Sequence, residues 1–342
     1  MLTERQLLIL KVIIDEFIKS ANPVGSRAIA KKDQINYSAA TIRNEMADLE
    51  EMGYLEKTHT SSGRIPSEKG YRYYVDHIIA PTIKRSEINI LNKILENGYF
   101  EVEQVVQKAA EVLSRLTNYT SIILGPAIYE AKLKQIQILP LSQHTAVSIL
   151  VTDTGHVEHR SFSIPFDIKP SDLEKMVNIL NDRLYGVPLI YLHEKLHHEV
   201  VHLLRKYVND FEKAYAYLDM MFFQEQPVKV YVGGKSNILL QPEFRDVNKL
   251  HSFYTMMEDE NEVIKLFQRH EEGIQVRIGK ENKADVIKDF SLITATYHTG
   301  GDQTGTIALL GPTRMEYRKV ISLLNAFSFE MTEALYLWYK GD

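Results

Sequence analysis

Apolar residues recur at helical spacing from the start of the chain. Leu7, Leu10, Ile14 and Phe17 stand three, four and three residues apart, which predicts an amphipathic helix over residues 3 to 19. Thr3 suits its N-cap and Asn22-Pro23 its stop. After Gly25, the run from Ser26 to Lys32 predicts a short second helix, capped by Ser26 and turning Ile29 inward. In the third helix Ala39, Ile42, Met46 and Leu49 form the buried stripe, with Ser38 as cap and Gly53 as stop. The pattern then changes period. Residues 54 to 58 alternate as a strand does, His59 to Gly63 form a small polar tip, and Arg64-Ile65-Pro66 return. Three helices followed by a hairpin make the order of a winged helix-turn-helix, assigned here to residues 1–80.

Beyond this unit, Pro81 and the charges around it suggest a joint between domains. Two helices are expected at roughly 86–97 and 101–117. Strands follow in TSIILGP, KQIQILPL, TAVSILVT and HVEHRSFSI, then a helix near 171–184. Later come IQVRIG, FSLITATYH and TGTIALLG, and a last helix over about 314–339. This order predicts an α+β multidomain protein in which one antiparallel-sheet domain, 81–185 and 273–342, is interrupted by an insertion over 186–272.

Composition narrows the function classes. At 342 residues the chain can hold two or three cores, and 44% hydrophobic with 25% charged residues is the balance of an ordinary globular protein. With no Cys there can be no disulfide, thiolate metal site or Cys nucleophile, which fits a reducing cytoplasm. The N-terminus carries Glu4, Arg5, Lys11, Asp15 and Glu16 within its apolar pattern, unlike a signal peptide, and no run approaches membrane-spanning length. Taken over the whole chain, a formal net charge of −5 disfavours nucleic acid, but binding confined to one domain depends on local charge. Between residues 57 and 72, Lys57, Arg64, Lys69 and Arg72 face one carboxylate, Glu68, with His59 in addition.

This basic hairpin gives the third helix its meaning. If its apolar stripe faces the core, Ala40, Thr41, Arg43, Asn44 and Ala47 form the outer face. The alanines allow close approach to a major groove, Thr41 can touch a thymine methyl or a phosphate, and Arg43 and Asn44 suit bidentate pairing with guanine and adenine. Recognition helices read bases from their N-terminal half, where these residues lie. A solvated helix face would look much the same; the basic hairpin decides for DNA. The predicted contact set is therefore Ser26, Arg27, Ser38, Ala40, Thr41, Arg43, Asn44, Lys57, His59 and Arg64, with Arg64 expected on a phosphate.

Two motifs point elsewhere and fail on inspection. His193-Glu194-Lys195-Leu196-His197 satisfies the H-E-x-x-H zinc pattern, but the downstream third ligand of a metzincin is missing and His198 and His202 continue a His-rich helix surface. Gly233-Gly234-Lys235-Ser236 imitates the end of a phosphate loop, yet Lys229 stands where its first glycine is needed, so a turn is expected. Neither a catalytic residue, a metal nor a cofactor is predicted.

PVGSRAIA, the helix start from Ser38 to Asn44, and HTSSGRIPSEKGYRYYVD from His59 to Asp76 resemble the HrcA family of heat-inducible transcription repressors. The similarity continues through Asp289–Gly300 and Gly305–Ser328. The resemblance implies a winged helix, a GAF-like antiparallel-sheet domain and a dimerisation domain inserted in it. It also implies a cytoplasmic homodimer on double-stranded DNA, at the inverted-repeat operator CIRCE upstream of chaperone genes, released on heat stress and modulated by the GroE chaperonin. The competing reading is a winged-helix regulator controlled by a small-molecule effector in the GAF-like domain.

Overall fold

A computed structural model describes residues 2–58, 63–80, 102–125, 132–142, 145–153, 157–163, 170–196, 200, 229–267, 272–298 and 304–340. The winged unit follows the sequence pattern closely. Helix α1 (Glu4–Ser20) is closed by a capping box between Thr3 and Gln6 and ends at Ala21 in the left-handed region. Helix α2 (Ser26–Ile29) is capped by Gly25 with no side-chain bond, so Ser26 lies inside the first turn rather than capping it. Helix α3 (Ala39–Glu51) has Ser38 as N-cap, and Gly53 follows its end at φ 79°. Strands β1 (Leu55–Lys57) and β2 (Arg64–Pro66) pair antiparallel, and Val24 bridges to Arg64 as a third rung. Helix α4 (Glu68–His77) leaves the hairpin under a Ser67 cap.

Helix α5 (Val102–Thr117) leads into a five-stranded antiparallel sheet. The expected helix at 86–97 lies outside the described residues. The sheet contains β3 (Thr120–Leu124), β7 (Val230–Gly233), β8 (Ile274–Ile278), β9 (Phe290–His298) and β10 (Thr304–Pro312), in the order β7-β3-β10-β9-β8. Alternate side chains of β10 explain its unbroken apolar run. Ile307 and Leu309 pack toward α5 and the last helix, α10 (Tyr317–Lys340); Ala308 and Leu310 pack toward Phe244, Phe253 and Phe267 on the other face. That second face is covered by α8 (Val247–Glu258) and α9 (Glu260–Lys265).

The strand pairing divides the chain differently from the expected single interrupted sheet. Strands β4 (Leu133–Pro140), β5 (Thr145–Thr152) and β6 (Val157–Ser163) form a separate three-stranded meander. With α6 (Pro170–Leu184) and α7 (Leu189–Lys195) it encloses its own core around Leu133, Ile136, Met176 and Leu180. Strand β7, α8 and α9 lie within the 186–272 stretch but belong to the five-stranded unit. The interruption therefore opens just after β3 and closes before β7, earlier at both ends than 186–272.

No such division separates the winged unit from the five-stranded one. A single core runs from Ile9, Ile42 and Leu49 through Tyr71 and Tyr74 of α4 to Ile293, Phe327 and Leu335. Polar ties cross the same seam. Arg72 pairs with Glu281 and donates to the Val276 carbonyl at 2.6 Å, while Arg314 donates to the Ile18 carbonyl at 3.1 Å. Glu68 accepts from the Lys280 N–H at 3.3 Å; Gly279, at φ 56°, sits where a Cβ would overlap the Glu68 side chain.

Candidate DNA interface

Helix α3 presents its predicted outer face. Ala40, Arg43, Asn44 and Ala47 are exposed and Thr41 is half-buried, whereas Ile42, Met46 and Leu49 are buried. The helix start is held by Ser38, whose Oγ accepts the Thr41 N–H at 3.1 Å and lies 2.9 Å from the Thr41 Oγ1. Both hydroxyls therefore first serve the cap, while Arg43 and Asn44, one turn later, have no partner among the described residues. An exposed guanidinium and carboxamide between two alanines carry the donors and acceptors that bidentate pairing with guanine and adenine uses.

Not every predicted contact residue stands free. Arg27 and Lys57 are exposed, and neither has a partner among the described residues. Ser26 is buried at 8%, which removes it from a DNA-facing surface. Arg64 is already engaged. Its side chain is 17% exposed, its guanidinium pairs with Glu50 at 2.6 Å, and its backbone exchanges two hydrogen bonds with Val24. Arg64 ties the base of the wing to α3 and to the segment between α1 and α2, so part of its guanidinium is already committed within the protein. His59 and the next three residues of the tip, Thr60 to Ser62, lie outside the described residues.

The basic cluster is correspondingly smaller than its sequence suggested. Lys69 donates to the Met52 carbonyl at 2.8 Å and lies over the Tyr54 ring. Arg72 is spent on Glu281 and Asp76; the Glu281 carboxylate beside it raises its guanidinium pKa above the ordinary value. Exposed cations without a partner among the described residues of the winged unit include Arg27, Lys31, Arg43 and Lys57. These remain available for phosphates.

A residue that the stripe analysis missed orients the helix. Glu45 is buried at 6% on α3 and pairs with Arg5 of α1, whose guanidinium also lies 5.7 Å from the Tyr37 ring centroid. A carboxylate in the register of Ile42, Met46 and Leu49 was the available signal, because a buried acid needs a cation nearby. At the seam, Tyr74 donates to Asp15 at 2.6 Å, and burial holds its phenol pKa well above the usual range.

Of the zinc-like pattern, Glu194 is exposed, while the side chain of His193 and all of His197 lie outside the described residues. Gly234 turns the chain at φ 66° between β7 and a 3-10 helix over Lys235–Leu240. It serves as the expected turn.

Comparison with known proteins agrees with this geometry. Residues 1–76 match the winged helix-turn-helix transcription repressor family, HrcA DNA-binding, and residues 103–321 match the HrcA protein C terminal domain. The chain belongs to the HrcA family. A heat-inducible transcription repressor HrcA from Oceanobacillus iheyensis is 64% identical over 342 residues, covering 100% of both chains. A solved structure described as a hypothetical protein at 2.2 Å resolution shares the fold, with a TM-score of 0.66 at 22% identity over 98% of this chain and 99% of that one. HrcA proteins are transcription repressors with a winged-helix DNA-binding domain, which is not an enzyme class. Among the described residues no helix is long and apolar enough to cross a membrane.

Proposed function

We propose that this chain is a cytoplasmic repressor that binds, as a homodimer, an inverted-repeat operator of the CIRCE type and is released on heat stress. The observation that carries the reading is the N-terminal half of α3 on a winged helix, where Arg43 and Asn44 are exposed between Ala40 and Ala47 with no partner among the described residues. Two copies related by a two-fold axis would present two such helices to two half-sites, the usual way a small module obtains adequate affinity and specificity. Repression then follows from occlusion of the promoter.

The family resemblance adds a dependence on the GroE chaperonin for the active state. Stability linked to association supplies a physical basis for heat sensitivity, since a dimer loses its mutual support as it dissociates. The test is binding to a CIRCE-type repeat and to a scrambled duplex, with chaperonin present and absent, before and after mild heating. Preference for the repeat that heating abolishes and chaperonin restores is expected. Equal binding to both duplexes under every condition would refute the operator assignment.

A further inference from the structure

We propose that the cleft between α8, α9 and β8 binds a small organic anion with an apolar body, and that Glu281 relays its occupancy to the DNA-binding unit. The cleft encloses about 900 Å³, within the range of about 300–1,000 Å³ typical of small-molecule sites. Its apolar wall includes Met256, Leu266 and Ile287, all buried.

The three lining carboxylates match the three lining cations, Lys265, Arg277 and Lys283, in number, but the two sets differ in what they already bind. Each lining carboxylate is already engaged: Asp259 accepts the Asn261 and Glu262 N–H groups, Glu262 pairs with Lys265, and Glu281 holds Arg72. By contrast, Lys283 and His251 line the cleft with no partner among the described residues. Arg277 donates one guanidinium nitrogen to the Leu266 carbonyl at 2.9 Å. The unspent polarity is therefore mostly donor and cationic, beside an apolar wall. A carboxylate on a short hydrocarbon body satisfies both.

Strand β8 separates this cleft from the winged unit. Gln275 and Arg277 line the cleft, whereas Ile274 and Val276 pack against the core shared with α4. The Val276 carbonyl and the Glu281 carboxylate are both bonded to Arg72 of α4. Glu281 thus lines the cleft and anchors the DNA-binding unit at once. An anion near Arg277 and Lys283 repels the Glu281 carboxylate toward Arg72 and favours the docked arrangement of the two units.

The test uses the full chain with octanoate as probe and octanamide as its neutral control, followed by calorimetric titration. Saturable octanoate binding, at least tenfold tighter than octanamide, is expected, with a loss of about tenfold in Lys283→Glu and in Arg277→Gln. The relay rests on the operator binding proposed above and is read separately: saturating octanoate should raise operator affinity about threefold, and Glu281→Gln should remove that gain while still binding octanoate. Absent or unsaturable octanoate binding, equal binding of octanamide, or an affinity unchanged in both variants would overturn the site. Octanoate binding with no gain in operator affinity, in a chain that does bind operator, would overturn the relay.

Discussion

Arg43 stands exposed on α3 without a partner among the described residues, whereas Arg64, one strand away, is half-buried against Glu50. The two should respond differently to the same substitution. Arg43→Ala is expected to cost about 1–3 kcal/mol at the operator and to relax the base preference there. In Arg64→Ala the loss, about 1–3 kcal/mol, should appear in denaturant unfolding, because a charged hydrogen bond at the base of the wing is broken. Lys57→Ala should instead flatten the salt dependence of DNA binding by about one unit and leave base preference intact. A steep loss of salt slope in Arg64→Ala with unchanged stability would return that residue to the phosphate surface. The sequence showed the exposed face of α3 because helical period places Ala40, Arg43, Asn44 and Ala47 together. It could not show which cations are free: Arg72 meets a carboxylate 209 residues away, and nothing local to either residue announces the other.

At the scale of elements, α4 joins what reads DNA to what carries it. Gly279 tests that joint, since it combines a positive φ with a position against Glu68. Gly279→Ala should lower stability by about 1–3 kcal/mol, read as a lower denaturation midpoint, because the side chain is strained and Glu68 must move. An unchanged midpoint would mean that the α4 contact is loose. Helices and hairpin of the winged unit were legible because caps, stripes and the Gly53 stop are local signals. The sheet partition was not. TSIILGP and TAVSILVT look alike as apolar strands, yet β3 pairs with β10 and β7 whereas β5 pairs with β4 and β6. A strand's period tells which side chains share a face, not which distant strand lies beside it.

Over the whole molecule, the shared core predicts how the protein comes apart. The winged and five-stranded units should unfold in one calorimetric transition, with any separate transition belonging to the meander and its own core. Melting of the winged unit before the sheet would contradict this. The same core explains why α1 is buried more widely than Leu7, Leu10, Ile14 and Phe17 implied, since Ile9, Val12 and Ile13 are buried too. One face serves the winged helix and another meets the body of the protein. The central claim remains that α3 reads bases from this rigid platform. It is tested most directly by measuring binding of the unsubstituted chain and Arg43→Ala to a CIRCE-type repeat and to a scrambled duplex at one salt concentration. The account predicts a loss of about 1–3 kcal/mol on the repeat and a much smaller one on the scrambled duplex. Equal losses on both would mean that Arg43 touches the phosphate backbone and that the reading helix has been misassigned.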